Sequence, residues 1–227
     1  MKKTIAAFLC GLMLLTACGT LSNLQKGAGI GAAGGAVAGG ALGAIFGGNT
    51  RSSAIGAAIG AAVGAGAGAI IGHKMDKKAE ELAALENAKV ETLKDANGLE
   101  AIKVTFDSGI LFATGKSDLG AESQANLMEF AKKMADLPDT DFAILGHTDN
   151  TGSAAVNEKL SAERAQKVAS FLVQCGISAK RMNAEGRSYL EPVADNGTSA
   201  GRAKNRRVEI YIYANENMIQ EATSQSN

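Results

Sequence analysis

The sequence predicts an α+β protein, a two-layer sandwich of helices on a sheet carried behind an export signal and a glycine-rich helical hairpin. Three observations carry that expectation. Apolar alternation and helical periodicity take turns between residues 98 and 215. Sixteen of the 28 glycines fall between Gly27 and Gly72. A short apolar run follows two lysines at the start. Composition narrows the function classes in advance. Lys plus Arg and Asp plus Glu stand at 23 each, so the chain lacks the cationic excess of a broadly basic nucleic-acid binder. Two histidines and three cysteines leave little material for a metal site, and no cofactor is expected.

Lys2 and Lys3, the apolar stretch Ile5 to Leu15 and Thr16-Ala17-Cys18 form a signal peptide over residues 1–17. Leu15-Thr16-Ala17-Cys18 resembles the bacterial lipobox, which implies cleavage before Cys18 and acylation (diacylglycerol and palmitate-type chains) of that cysteine. Residues 18–26 are then a lipidated linker. Two acyl chains make a stable anchor where one is marginal, since each buried methylene contributes about 0.8 kcal/mol. Cys10 leaves with the signal and Cys18 is capped, so Cys175 has no partner for an intrachain disulfide. Its place near a helix end suits a small, half-buried apolar residue. Gly19, by resemblance to enterobacterial sorting, favours the outer membrane.

From Gly27 the glycines recur at every fourth position through Gly31, Gly35, Gly39, Gly43 and Gly47, and again through Gly56, Gly60, Gly64, Gly68 and Gly72. Each costs a helix in water about 1 kcal/mol relative to alanine. The register makes sense where backbones approach closely, as in small-xxx-small packing. The two uncharged runs would be about 33 and 28 Å long as helices, with the polar stretch Asn49 to Ser53 as the turn. Residues 27–72 are therefore expected as a helical hairpin that self-associates or meets the bilayer. They resemble the glycine-zipper segments of envelope lipoproteins. Gly29-Ile30-Gly31-Ala32-Ala33-Gly34 spells a dinucleotide fingerprint, but it follows no strand and has no acidic residue about twenty positions on. Residues 73–97 read as a charged helical stalk with Leu82, Leu85 and Leu93 as a thin stripe, ended by Asn97-Gly98.

In the C-terminal part, Ile102 to Phe106 alternates as a strand, and Ser117 is placed to cap a helix running to Leu137 before Pro138. Phe142 to Gly146 reads as a buried strand leading into His147-Thr148-Asp149-Asn150-Thr151-Gly152. A helix follows from about Ala154 to Gln174. Arg207 to Tyr213 closes the sheet, and residues 216–227 are expected as a disordered tail. The long helix carries an anomaly. Its expected core stripe is Val156, Leu160, position 164, Val168, Leu172 and Cys175, and position 164 is arginine. A guanidinium there needs a partner. Asp149, at the mouth of the preceding strand, is the candidate. The residues alone leave two readings open: a structural salt bridge, or a split dipole offering Asp149 to a ligand ammonium and Arg164 to a ligand carboxylate. His147 is the one imidazole of the domain and has no nucleophile paired with it, so an enzyme is not expected.

Gly146-His147-Thr148-Asp149-Asn150-Thr151-Gly152, Asn157, Leu160-Ser161-Ala162-Glu163-Arg164-Ala165 and Gly201 to Glu209 together resemble the OmpA C-terminal domain family across residues 98–215. With the lipobox and the glycine ladders, the whole is similar to YiaD-type outer-membrane lipoproteins. The resemblance implies a βαβαββ-type sandwich that binds peptidoglycan non-covalently through the diaminopimelate of the stem peptide. Asp149 would take the ammonium and Arg164 the carboxylate, with Asn157 and Arg206 at further pocket positions. Many relatives carry aspartate where this chain has Ala113 after Phe112, a departure at the pocket rim. The expected place is the outer membrane of a Gram-negative bacterium, lipid-anchored, with the domain in the periplasm. The rival to a membrane-to-wall tether is an oligomeric zipper assembly that the domain merely locates.

Overall fold

The computed structural model describes residues 64–226, other than positions 96 and 114. The expected signal peptide, Cys18 and most of the expected glycine-rich hairpin lie outside the described residues. The elements in order are α1 (Ala65–Leu82), β1 (Ala88–Lys94), β2 (Glu100–Asp107), α2 (Ser108–Leu111), α3 (Ala121–Lys133), β3 (Thr140–Gly146), α4 (Ala154–Gln174), a 3-10 turn (Ala179–Arg181), β4 (Met182–Gly186), α5 (Ser199–Asn205), β5 (Arg207–Ala214) and α6 (Glu216–Ser226). The strands form one sheet in the order β1-β2-β5-β3-β4. Every pairing is antiparallel except β3 with β4, whose connection is α4. The sequence β2-α3-β3-α4-β4-β5 is the expected βαβαββ order, and β1 extends the sheet at one edge.

Strand alternation sorts the sheet into two faces. Ile102, Val104, Phe106, Phe142, Ile144, Val208, Ile210 and Ile212 point into the main core, where they meet Leu127 and Phe130 of α3 and Val168 and Leu172 of α4. Phe130 stands edge-on to both Phe106 and Phe142, with centroids 6.3 and 6.2 Å apart. The other face carries a smaller cluster of Leu93, Ala101, Ala143, Leu145 and Tyr211.

Three expectations about the flanks are corrected. The stalk over 73–97 is helical only to Leu82, and its second half is strand β1. Asn97-Gly98 does not end a helix; it turns a hairpin. Gly98 has φ +76, and the Asp95 carboxylate accepts the N–H groups of Asn97 and Leu99 at 2.8 and 2.9 Å. Nor is α1 a free stalk. Its buried Ala67, Ile71, Met75, Ala79 and Leu82 belong to the main core. Lys78, 3% exposed, bonds Asp136 and the Lys133 carbonyl at the end of α3. The tail 216–227 is ordered as α6 through Ser226. The Asn215 side chain accepts the Met218 N–H, and Met218, Ile219 and Ala222 bury their apolar face. Gly66 lies against the end of α6, where a Cβ would come 2.9 Å from that of Ser226.

Within the domain, α3 starts at Ala121 rather than Ser117 and stops at Lys133 short of Leu137. Leu119 is occupied in an antiparallel bridge with Phe112, so the chain stays extended until Gly120. The α4 stripe is also rotated. Val156 is 59% exposed, Leu160 and Cys175 are half-buried, and the buried row is Asn157, Ser161, Arg164, Ala165, Val168, Ala169 and Leu172. Small and polar residues replace bulky ones at its start because the sheet lies so close there.

Candidate functional site

That close approach is set by two glycines. A Cβ on Gly146, the last residue of β3, would collide with the Ser161 carbonyl, and one on Gly186, the last of β4, would sit 2.5 Å from the Ala162 nitrogen. The backbone of α4 therefore rests directly on the ends of β3 and β4, and the loop leaving β3 runs alongside its first turns. Neighbouring strand ends hold that loop. The His147 N–H donates to Arg207 O at 2.9 Å, and the Thr148 N–H to Ser188 O at 2.8 Å. Ser188 has φ +51.

Asp149, 7% exposed, closes a local turn in which its Oδ1 accepts the Thr151 N–H at 2.9 Å. Its Oδ2 accepts from Nη1 of Arg206 at 2.6 Å. Burial alone would raise the Asp149 pKa, but the Arg206 bond and the Thr151 N–H outweigh it and hold the carboxyl below its ordinary value. Asn157 donates Nδ2 to Thr151 O at 3.0 Å and is 3% exposed. It shapes the Asp149 loop from inside, while the Ser153 hydroxyl caps α4 by accepting the Val156 N–H.

Arg164 is 2% exposed and has no acidic side chain within salt-bridge distance among the described residues. Its Nε donates to Lys116 O at 3.0 Å, and its Cζ lies 5.2 Å from the centroid of the Phe112 ring. Its Nη1 is buried with no hydrogen-bond partner among the described residues. Burial pushes its pKa down, the charge of Arg206 adds to that, and Asp149 opposes it. The expected group of four is thus brought together, but its pairing is not the Asp149–Arg164 salt bridge of the first sequence reading. Asp149 is engaged by Arg206 rather than by Arg164, and Arg164 is the charge left over.

Sequence reasoning put Phe112 at the pocket rim but missed that Arg164 lies on its ring and on the Lys116 carbonyl. It also missed the Thr148 hydroxyl, which is buried without a partner next to Asp149. No spacing in the sequence signals these contacts, because they come from a loop 48 residues before the arginine. Chemically, a pinned, desolvated guanidinium with an unused N–H beside a carboxylate is equipped to orient a zwitterion.

The OmpA family model matches residues 111–206, and a YMGG-like Gly-zipper matches residues 1–76. The chain is similar to outer membrane porin F of Pseudomonas aeruginosa, 41% identical over 125 residues that cover 53% of this chain and 35% of that one. Peptidoglycan-binding protein ArfA of Mycobacterium tuberculosis is 39% identical over 112 residues, 49% of this chain and 34% of that one. The chain thus spans about a third of the length of these relatives. Among solved structures, the cell wall anchor of the T6SS from Pseudomonas aeruginosa superposes with a TM-score of 0.52 at 33% identity, covering 62% of this chain and 96% of that one.

Proposed function

Since this chain belongs to the OmpA family through its C-terminal domain, joined to a YMGG-like glycine-zipper region, we propose that it tethers the cell envelope by binding peptidoglycan non-covalently. The ligand is the diaminopimelate of the stem peptide, which presents an ammonium and a carboxylate on one centre. Arg164 takes the carboxylate and Asp149 the ammonium, with Arg206 beside them and Asn157 holding the loop. Acylated Cys18 secures the other end in the outer membrane of a Gram-negative bacterium, with the domain in the periplasm and the zipper region available for self-association. The chain acts by binding and not by catalysis, and His147, 1% exposed, is out of reach of a wall polymer.

One observation carries this reading, the buried Arg164 with an unused Nη1 and no acidic partner among the described residues. An uncompensated buried charge costs several kcal/mol, a cost that a ligand carboxylate offsets. The relatives named for peptidoglycan and the cell wall support the same reading. The test is sedimentation of the full chain in detergent with isolated sacculi. Wild type should co-sediment and free diaminopimelate should release it. Sacculi whose stem peptides carry lysine, which lacks the second carboxylate, should not retain it. Retention of Arg164→Ala at the wild-type level would overturn the assignment.

A further inference from the structure

Asp149 and Arg164 are not equivalent in the free protein. Asp149 Oδ1 accepts the Thr151 N–H, and Oδ2, the oxygen the loop backbone does not use, is covered by the Arg206 guanidinium at 2.6 Å. The two arginines differ as well. Arg164 is nearly inaccessible and pinned through Nε, whereas the Arg206 side chain is 39% exposed and donates to Asp149 through Nη1. An exposed arm returns to water at little cost, but a pinned, buried one does not.

We propose that Arg206 is a specificity-determining residue that acts as a resident competitor for the ammonium seat on Asp149. This rests on the diaminopimelate reading above. A ligand with a carboxylate alone meets Arg164 while Arg206 stays on Asp149. A ligand that carries an ammonium at the right separation displaces Arg206, which swings out toward solvent, and replaces one charge pair with another. The seat therefore binds zwitterions in exchange for a protein cation, and cations that cannot also satisfy Arg164 fail to hold it.

Calorimetric titration of the full chain in detergent tests this, with diaminopimelate and pimelate, the same carbon chain without amino groups, as the two probes. Arg206→Gln should bind diaminopimelate about fivefold more tightly, the size of a partly exposed ion pair removed from the competition. It should bind pimelate more weakly than wild type, because Asp149 is then an uncompensated anion. Arg206→Lys keeps a competing cation and should stay near wild type. Wild-type binding of diaminopimelate that is unchanged or weakened in Arg206→Gln would overturn the competitor role and leave the ligand reading standing. Absence of diaminopimelate binding in wild type and variants alike would overturn the ligand reading, and the competitor role with it.

Discussion

Two buried arginines in this domain have opposite surroundings. Arg207 is 3% exposed and Arg164 is 2% exposed, so both have left water almost completely. Arg207 donates Nε to Glu209 at 2.7 Å, Nη1 to Asn205 O at 3.3 Å and Nη2 to Glu191 O at 3.1 Å. Glu209 in turn accepts the Tyr211 hydroxyl at 2.7 Å. Arg164 has one carbonyl, one ring face and an N–H with nothing opposite it. Burial of a charge therefore does not by itself mark a site. The mark is a charge that the fold has desolvated and then left incompletely matched.

Both arginines can be compared only in a chain that keeps α1. A chain beginning at Asn97 loses Ile71, Met75 and Leu82, all fully buried, together with β1. At roughly 1.5–3 kcal/mol for each large side chain, that approaches the whole net stability of a typical domain, about 5–15 kcal/mol. Such a truncation should give no cooperative thermal transition by circular dichroism, whereas a chain beginning near Gly64 should melt cooperatively. A cooperative melt from the Asn97 chain would show that α1 is an accessory.

The comparison itself is broken or sharpened by exchanging each arginine for an apolar residue. Arg207→Met strands Glu209 in the core and should lower urea stability by about 3–5 kcal/mol, while the fraction still folded keeps its affinity for sacculi. Arg164→Met removes a buried charge that has no acidic partner among the described residues, so stability should hold or rise while sacculus binding is lost. Equal losses of stability in the two variants would mean that Arg164 is structural.

Acid should act on the satisfied network more than on the open one. Burial would raise Glu209, but the neighbouring His147 and the Arg207 guanidinium hold it far below the ordinary carboxylate range, and Asp149 is lowered too. Both carboxylates are more acidic folded than unfolded, so their contribution is complete above about pH 5 and is lost as pH falls through the folded pKa values. Asp95 and Asp141, raised by burial, act with the opposite sign and blunt the fall. Urea midpoints measured from pH 7 to pH 3 should decline in wild type and decline less steeply in Glu209→Gln.

How far this was legible depends on where each signal sits. The buried strand Phe142 to Gly146 and the helix from Ala154 to Gln174 follow from local periodicity, and the structure places them there. Arg164 stood out because a charge interrupted an apolar row, although the true row runs through Asn157 and Ser161. The alternation Arg207, Glu209, Tyr211 was equally readable as one strand face, and it went unnoticed because polar residues on strands usually mean solvent. Strand β1 and helix α6 were hidden for another reason. Their charged residues read as solvated stalk and tail, and only the pairing of β1 with β2 across the tight turn at Asn97-Gly98 and the docking of Met218 and Ile219 make them part of the fold. The Asp149–Arg206 bond joins residues 57 apart and leaves no periodic trace.

The smallest effect separates two rings that each lie under an arginine. Arg181 stacks over Phe142 at 4.9 Å and is otherwise satisfied by the carbonyls of Thr140 and Leu137 and the Thr140 hydroxyl. Arg164 lies over Phe112 at 5.2 Å, with a single carbonyl besides. A cation–π contact contributes about 0.5–2 kcal/mol according to its desolvation, and leucine preserves most of the ring's apolar volume. Phe142→Leu should therefore cost about 1–2 kcal/mol of stability through lost packing against Phe130, with no change in affinity for sacculi. Phe112→Leu should cost no more stability than that, but should weaken diaminopimelate binding several-fold, because the guanidinium plane loses its floor while its carbonyl anchor remains. If the two leucine variants bound sacculi alike, the orientation of Arg164 would not depend on Phe112, and the Lys116 carbonyl alone would be holding it.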